Sequence, residues 1–262
     1  MGTASLAPVQ LVTYNVTPTE AHSWAICGGF FASNRREGKE RSVAYPLLLG
    51  TAVHELIVAH DRAPATDEES LPSLVTRHWR PGRFHQSDDP RAREEATEML
   101  TLYHRTRATE LVDLLTGECF IRTEPRDIGG GLAIALSGRI DRLGRRADGT
   151  LEVLDFKTGS TLPSEEELRA DPATTAYHLL ATSRFQADRI VVAQWSLRSG
   201  ARSEVPLQPS DVATGKEQLR TMVREMHGGA FSLTPGLACG YCPAQSTCPA
   251  LAPDPSSAEN EW

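Results

Sequence analysis

The stretch from Leu132 to Gly159 limits the fold of this chain more than any other. It holds two runs of strand-like alternation, Leu132–Ile140 and Thr150–Phe156, divided by an Asp148-Gly149 turn signal. On a strand, residues two apart share a face, so Asp155 and Lys157 project together while Leu154 and Phe156 point to the other side. Asp141, at the end of the first run, reaches the same point if the two strands pair across the Arg145–Thr150 turn. Two carboxylates and a backbone carbonyl, that of Phe156, make an oxygen-rich pocket suited to Mg²⁺. Such an ion activates water and stabilises charge on a phosphodiester, with the lysine orienting the nucleophile or lowering its pKa. By itself an Asp-X-Lys triplet is also what a surface strand end with a solvated ion pair looks like.

The rest of the chain predicts elements around this hairpin. Thr17-Pro18-Thr19-Glu20 reads as a capping box with proline in the first turn, opening a helix that carries Trp24 and Cys27. A second helical pattern starts at about Leu48, Asp61–His85 reads as loop, and Pro90 opens a long helix stopped by Gly117. A strand over Glu118–Glu124 precedes the hairpin. Beyond it come a helix over Ala173–Ser183, strands over Arg189–Leu197 and Ser203–Leu207, and a helix from Pro209 to Met226. The expected class is α/β, a mixed central sheet flanked by helices. The chain reads as one unit over residues 1–252, with a helical part (17–117), a core (118–208) and a C-terminal helix and cysteine segment (209–252). Residues 253–262 read as an acidic tail.

Charge narrows the partners. Net charge is −7 over 262 residues, so nucleic acid is not coated by bulk charge and any contact with it is local. Among 27 basic residues only Lys39, Lys157 and Lys216 are lysines, which makes Lys157 beside Asp155 more informative. Hydrophobic content of 40% and charged content of 23% exclude a disordered chain, and no run of about 18 apolar residues is present. Met1 to Val16 carries no Lys or Arg, so a secretory leader is not expected and the expected location is cytoplasmic.

Gly138-Arg139-Ile140-Asp141-Arg142, a turn, and then Val153-Leu154-Asp155-Phe156-Lys157-Thr158-Gly159 resemble the active-site hairpin of the PD-(D/E)XK nuclease superfamily, in its RecB-like branch. The helix, three-strand, helix, strand order is similar to that family's restriction-endonuclease-like core, and the resemblance runs from about Thr17 to Pro249. It implies that His54, in Gly50-Thr51-Ala52-Val53-His54-Glu55, is a metal ligand together with Asp141, Asp155 and the Phe156 carbonyl. On the residues alone His54 reads better as a satisfied core histidine than as a ligand. The resemblance further implies that Glu124 is an active-site acid and that Tyr177 helps to hold DNA. One position departs from the pattern: the glutamine expected four residues before that tyrosine is Ala173.

Cys239-Gly240-Tyr241-Cys242 followed by Cys248 has the spacing C-x2-C-x5-C, and a third nearby cysteine favours metal over a redox dithiol. The triplet is similar to that of RecB-like nucleases with an iron-sulfur cluster, AddB and the CRISPR-adaptation nucleases among them, where one cysteine near the N-terminus joins it. Cys27 resembles that residue. Four thiolates hold a [4Fe-4S] cluster or a structural zinc ion. Cys119 is left over as a buried strand residue. For DNA contact, Arg77, Trp79, Arg80, Arg83 and Phe84 form a basic segment with two aromatics, and an exposed loop with a partly buried Trp79 fits the same residues.

No metalloprotease HExxH, P-loop or GxGxxG is present. The expected function is therefore a Mg²⁺- or Mn²⁺-dependent deoxyribonuclease acting on single strands or DNA ends, an exonuclease more than an endonuclease. Its expected setting is DNA repair, recombination or CRISPR adaptation, alongside a helicase or other partner protein. The alternative is a weakly active or inactive DNA-binding or scaffolding subunit.

Overall fold

The computed structural model describes residues 11–37, 44–63, 67–109 and 112–251. Lys39 and the acidic tail lie outside them. Nine strands form two sheets among the described residues. The five-stranded sheet runs β2 (Val112–Thr116), β6 (Arg142–Arg146), β7 (Leu151–Lys157), β8 (Ile190–Ser196), β9 (Arg202–Pro206). In the other, β5 (Leu132–Ile140) lies between β1 (Val12–Val16) and β3 (Cys119–Arg122), and β4 (Arg126–Gly129) also pairs with β5.

β7 is central because nearly every residue of it is apolar or neutralised, as a strand covered on both faces requires. Leu154 and Phe156 join a core with α3 (Tyr45–Arg62), α4 (Leu71–His78) and α5 (Asp89–Thr109). Leu151 and Val153 join a second core against α7 (Pro172–Thr182) and α8 (Pro209–Gly228). Asp155 and Lys157 continue the second face. β8 runs parallel to β7, and the crossover that parallel neighbours need is made by α6 (Glu165–Ala170) and α7.

The structure revises several sequence expectations. Asp61–His85 is not all loop: α4 lies within it, since Pro72 sits in the first turn, where its missing N–H costs nothing, and Leu71, Leu74 and Val75 pack into the first core. The long helix ends at Thr109 rather than reaching Gly117, because Val112–Thr116 pairs with β6 as an edge strand. A strand precedes the first helix, β1, laid parallel to β5. The expected hairpin partner of β7 also differs. β5 and β7 do not pair as neighbours; β6, which follows β5 after a bend at Asp141, pairs antiparallel with β7 from Arg142↔Leu154 to Arg145↔Leu151.

Buried charge holds β6 in that register. Arg142 and Glu152, each only 1% exposed, face each other at 3.4 Å, and Arg142 lies over the Phe156 ring at 5.9 Å. Arg146 and Arg202 also reach Glu152, so the buried carboxylate is compensated. Gly138 has a steric reason: a Cβ there would come within 2.9 Å of Pro18 and 3.0 Å of Leu180. Its absence lets β5 approach α7 and the helix α1 (Pro18–Ile26).

Candidate active site

Asp141 sits at the bend where the chain leaves one sheet for the other, one step beyond the Arg142↔Leu154 pair and so level with Asp155. Its Oδ2 accepts the Phe156 N–H at 2.8 Å. His54, projecting from α3, approaches Asp141 Oδ1 through Nδ1 at 3.2 Å and the Phe156 carbonyl through Nε2 at 3.1 Å. Lys157 Nζ lies 2.7 Å from Asp155 Oδ2. His54, Asp141, Asp155, Lys157 and the Phe156 carbonyl are thus linked by direct contacts.

Electrostatics separate the two carboxyl groups. Burial pushes Asp155 up to about 6, with the Asp141 charge adding to the push and the Lys157 ammonium opposing it. Burial also works upward on Asp141, but hydrogen bonds from His54 and the Phe156 N–H overcome it and hold its carboxyl below the usual range. For His54 burial works downward, and Asp141 outweighs it, so the imidazole is raised. Lys157 is likewise raised, its desolvation outweighed by Asp155.

These donors suit a hard divalent cation. Asp155 is buried without enough positive charge to keep it ionised easily, and the His54 imidazole stands against two oxygens, Asp141 Oδ1 and the Phe156 carbonyl, of the kind a hard cation takes. As they stand, no three or more His, Cys, Asp or Glu side chains among the described residues are arranged to hold a metal ion.

Asp155, Lys157 and Tyr177 line a cleft of about 1080 Å³ together with Ala173. The Tyr177 hydroxyl is raised well above its ordinary value, first by burial and then by Asp155, Asp141 and Asp171, which places it among the acids. His54 and Asp141 approach Asp155 from outside the lining of this cleft. Glu124 does not join them. β3 ends at Arg122, and Glu124 is an exposed loop residue in a separate depression with Arg126 and Lys216. The expectation of an active-site acid there is corrected: β3 runs antiparallel to β5, from Cys119↔Ile140 to Arg122↔Ser137, so the chain moves away from Asp141 with every residue that leads to Glu124.

The basic segment is corrected too. Trp79 and Phe84 are 7% and 6% exposed, stack on each other at 5.5 Å and belong to the first core, so neither ring is free to stack on a base. The Trp79 indole N–H donates to Asp89 at 2.8 Å. Arg83 and Arg80 pair with Glu55 at 2.7 and 3.2 Å. Only Arg77 keeps an exposed place without a carboxylate partner among the described residues.

Four of the five cysteines line one cavity of about 600 Å³: Cys27, Cys239, Cys242 and Cys248. Cys27 caps the C-terminus of α1 and its Sγ accepts the Thr234 N–H at 3.5 Å, while Cys239 Sγ accepts the Gly236 N–H at 3.3 Å. The Phe30 and Tyr241 rings meet edge to face at 5.6 Å and hold the cysteine segment to the helix α2 (Gly28–Glu37). A Cβ on Gly28 would lie 2.8 Å from the Ser232 carbonyl, so only glycine admits this approach. Two of the four sulfurs accept backbone N–H groups, and as they stand no three of the four are arranged to hold a metal ion. Cys119 lies elsewhere, on β3 opposite Ile140.

Two residues of the cleft carry no sequence motif. Asp171 caps α7, accepting the Ala173 N–H at 2.8 Å, and His22 of α1 meets its other oxygen at 2.6 Å. Asp171-Pro172 is a helix-start signal that could have located the acid. Nothing local marks His22, because only the packing of α1 on α7 brings it there.

A family model described as the PD-(D/E)XK nuclease superfamily matches residues 15–249. No curated protein matches. Among solved structures, the crystal structure of SSO0001 is similar at 12% identity, covering 86% of this chain and 96% of that one. Its TM-score of 0.39 is too low to carry detail. The mixed α/β architecture is the restriction-endonuclease-like fold of the matched family. No described helix is long and apolar enough to cross a membrane.

Proposed function

Because this chain belongs to the PD-(D/E)XK nuclease superfamily, we propose that it hydrolyses phosphodiester bonds in DNA, on single strands or at ends, with Mg²⁺ or Mn²⁺. The observation that carries the proposal is the contact chain His54, Asp141, Phe156 carbonyl, Asp155, Lys157. Asp155, Asp141, His54 and the Phe156 carbonyl are the groups that would hold the ion, which polarises the phosphate and lowers the pKa of water when bound. Lys157, 42% exposed at the cleft wall, orients the attacking water and stabilises the charge that builds on the phosphate. The attacking water forms a bond to phosphorus as its proton passes to solvent, and the bond to the leaving oxygen breaks as that oxygen takes a proton from solvent. Tyr177 lines the path of the strand.

The four-cysteine cavity is the proposed seat of a [4Fe-4S] cluster, with zinc as the second reading. What supports a shared inorganic group is that Cys27, far away in sequence, lines the same cavity as the C-terminal triplet. The group would tie α1 to the C-terminal segment, 239 − 27 = 212 residues later in the chain.

The test is anaerobic purification, iron and acid-labile sulfide analysis, and cleavage of end-labelled single-stranded and duplex DNA. Metal-dependent cleavage that Asp155→Ala abolishes supports the nuclease. Strand binding without cleavage under any divalent metal would point to the scaffolding role instead.

A further inference from the structure

A strand of nucleic acid brings one negative charge per phosphate into the cleft, yet most of the ionisable carboxyl, amine and imidazole side chains that line it are acidic. Asp155, Glu167, Asp171 and Glu225 line it, and no arginine does. Among the described residues, Lys157 and His22 are the only lining side chains able to carry positive charge. Lys157 is engaged by Asp155. His22 therefore stands as the remaining cation.

Its setting is built to charge it. Asp171, 17% exposed and fixed by its cap of α7, holds His22 through Nδ1 at 2.6 Å. No other group among the described residues bonds the ring, so Nε2 is left to the cleft, and the side chain is 56% exposed. The neighbouring Ala173 offers no polar group. Glu225 is taken by the Trp24 indole and the Ser232 hydroxyl, and Glu167 by the cap of α6, so neither competes for the imidazole.

Resting on the nuclease reading above, we propose that His22, oriented by Asp171, is a phosphate-binding residue of this cleft, gripping the backbone of the bound strand beside the scissile phosphate. The contact is a charge-assisted hydrogen bond from Nε2–H to a non-bridging oxygen, and it forms no covalent bond. It makes strand affinity depend on pH. The Asp171 hydrogen bond raises the imidazole pKa against the downward pull of burial; the Asp171 and Asp155 charges also raise it, and Lys157 lowers it. The grip is therefore complete at acid pH and lost as pH rises through that raised value.

The test is a pH series, from about pH 5.5 to about pH 9, of KM and kcat on a labelled single-stranded oligonucleotide with Mn²⁺, with fluorescence anisotropy of the same strand as a second readout. For the wild type, KM rises about tenfold across the series, the loss of one charged hydrogen bond. His22→Gln holds KM at the high value throughout with kcat unchanged. His22→Arg holds it low throughout, and Asp171→Asn moves the rise to lower pH. A His22→Gln enzyme with the wild-type KM profile overturns the proposal, as does one whose loss falls on Tm and kcat alone, since that marks a mere tie between α1 and α7. If the wild type cleaves nothing, the nuclease reading fails separately, and anisotropy still decides: binding that stays pH-dependent in His22→Gln overturns the phosphate contact, and binding that goes flat upholds it.

Discussion

Replacing Asp155 with asparagine should abolish cleavage and stabilise the protein in the absence of metal. Burial lifts the carboxyl from 3.8 to about 6, so at neutral pH the fold holds an anion it disfavours, at a cost on the order of 3 kcal/mol. Between these values the folded state binds more protons than the unfolded one, so stability falls as pH rises from about 4 to about 6 and stays reduced above. Asparagine keeps the shape and removes the charge. The attraction of the Lys157 ammonium is already contained in that value, because it opposes the upward push. The net gain is therefore on the order of 3 kcal/mol, or a Tm higher by about 6–12 °C in a chain of this size. Urea and thermal unfolding in chelator at about pH 7.5 read the effect. Divalent metal should then stabilise the wild type, by about 2.7 kcal/mol at a hundredfold excess over its Kd, and leave Asp155→Asn unmoved. A variant no more stable than the wild type in chelator, or one stabilised equally by Mn²⁺, refutes the reasoning.

Asp141→Ala, Lys157→Ala and His54→Ala should each lower cleavage by about a hundredfold or more with the far-ultraviolet circular dichroism spectrum unchanged. Cys27→Ser, Cys239→Ser, Cys242→Ser and Cys248→Ser should each lose iron and lower the unfolding midpoint, whereas Cys119→Ser, away from the cavity, keeps full iron; loss of iron only in the last would reassign the fourth ligand. Trp79→Ala should cost about 3–5 kcal/mol of stability as a core truncation, with unchanged strand affinity measured below its unfolding temperature.

What the sequence showed of the site came from short-range rules. The period of two on β7 placed Asp155 and Lys157 on one face and Leu154 and Phe156 on the other, and both faces are filled that way. Asp141 reached Asp155 by a different route from the one its spacing suggested. β5 does not pair beside β7; a bend at Asp141 and five further residues of β6 do the pairing, and the residue before Arg142 still falls level with Asp155. Glu124 failed because an alternating run carries no mark of its register, and the antiparallel pairing with β5 sets Cys119, not Glu124, beside the Asp141 end. Trp79 and Phe84 failed because aromatics among arginines look alike whether the rings face solvent or a core. Tyr45, whose ring meets that of Phe84 at 5.5 Å, helps to decide that from 84 − 45 = 39 residues away in the sequence.

The cleft and the cysteine cavity share a wall, and this joins the two halves of the functional reading. Gly28 and Thr234 border the cleft, and Cys27 and Thr234 border the cavity; the Thr234 N–H rests on Cys27 Sγ. α1 carries His22 toward Asp171 and ends on Cys27 as its cap. A ligand group held by Cys27 and the C-terminal triplet would therefore fix the C-terminal end of the helix that presents His22, without touching the strand. Closing a loop of 212 residues costs little more than closing a short one, about 0.6 kcal/mol per doubling, while tight thiolate ligation supplies on the order of 10 kcal/mol. Ligation thus stabilises a wall that α1 would otherwise hold to α8 through Trp24–Glu225, at 2.6 Å, and the packing at Gly28. The variant enzymes that lose iron should consequently lose strand affinity as well as stability, although Asp155 and Lys157 remain in place on β7.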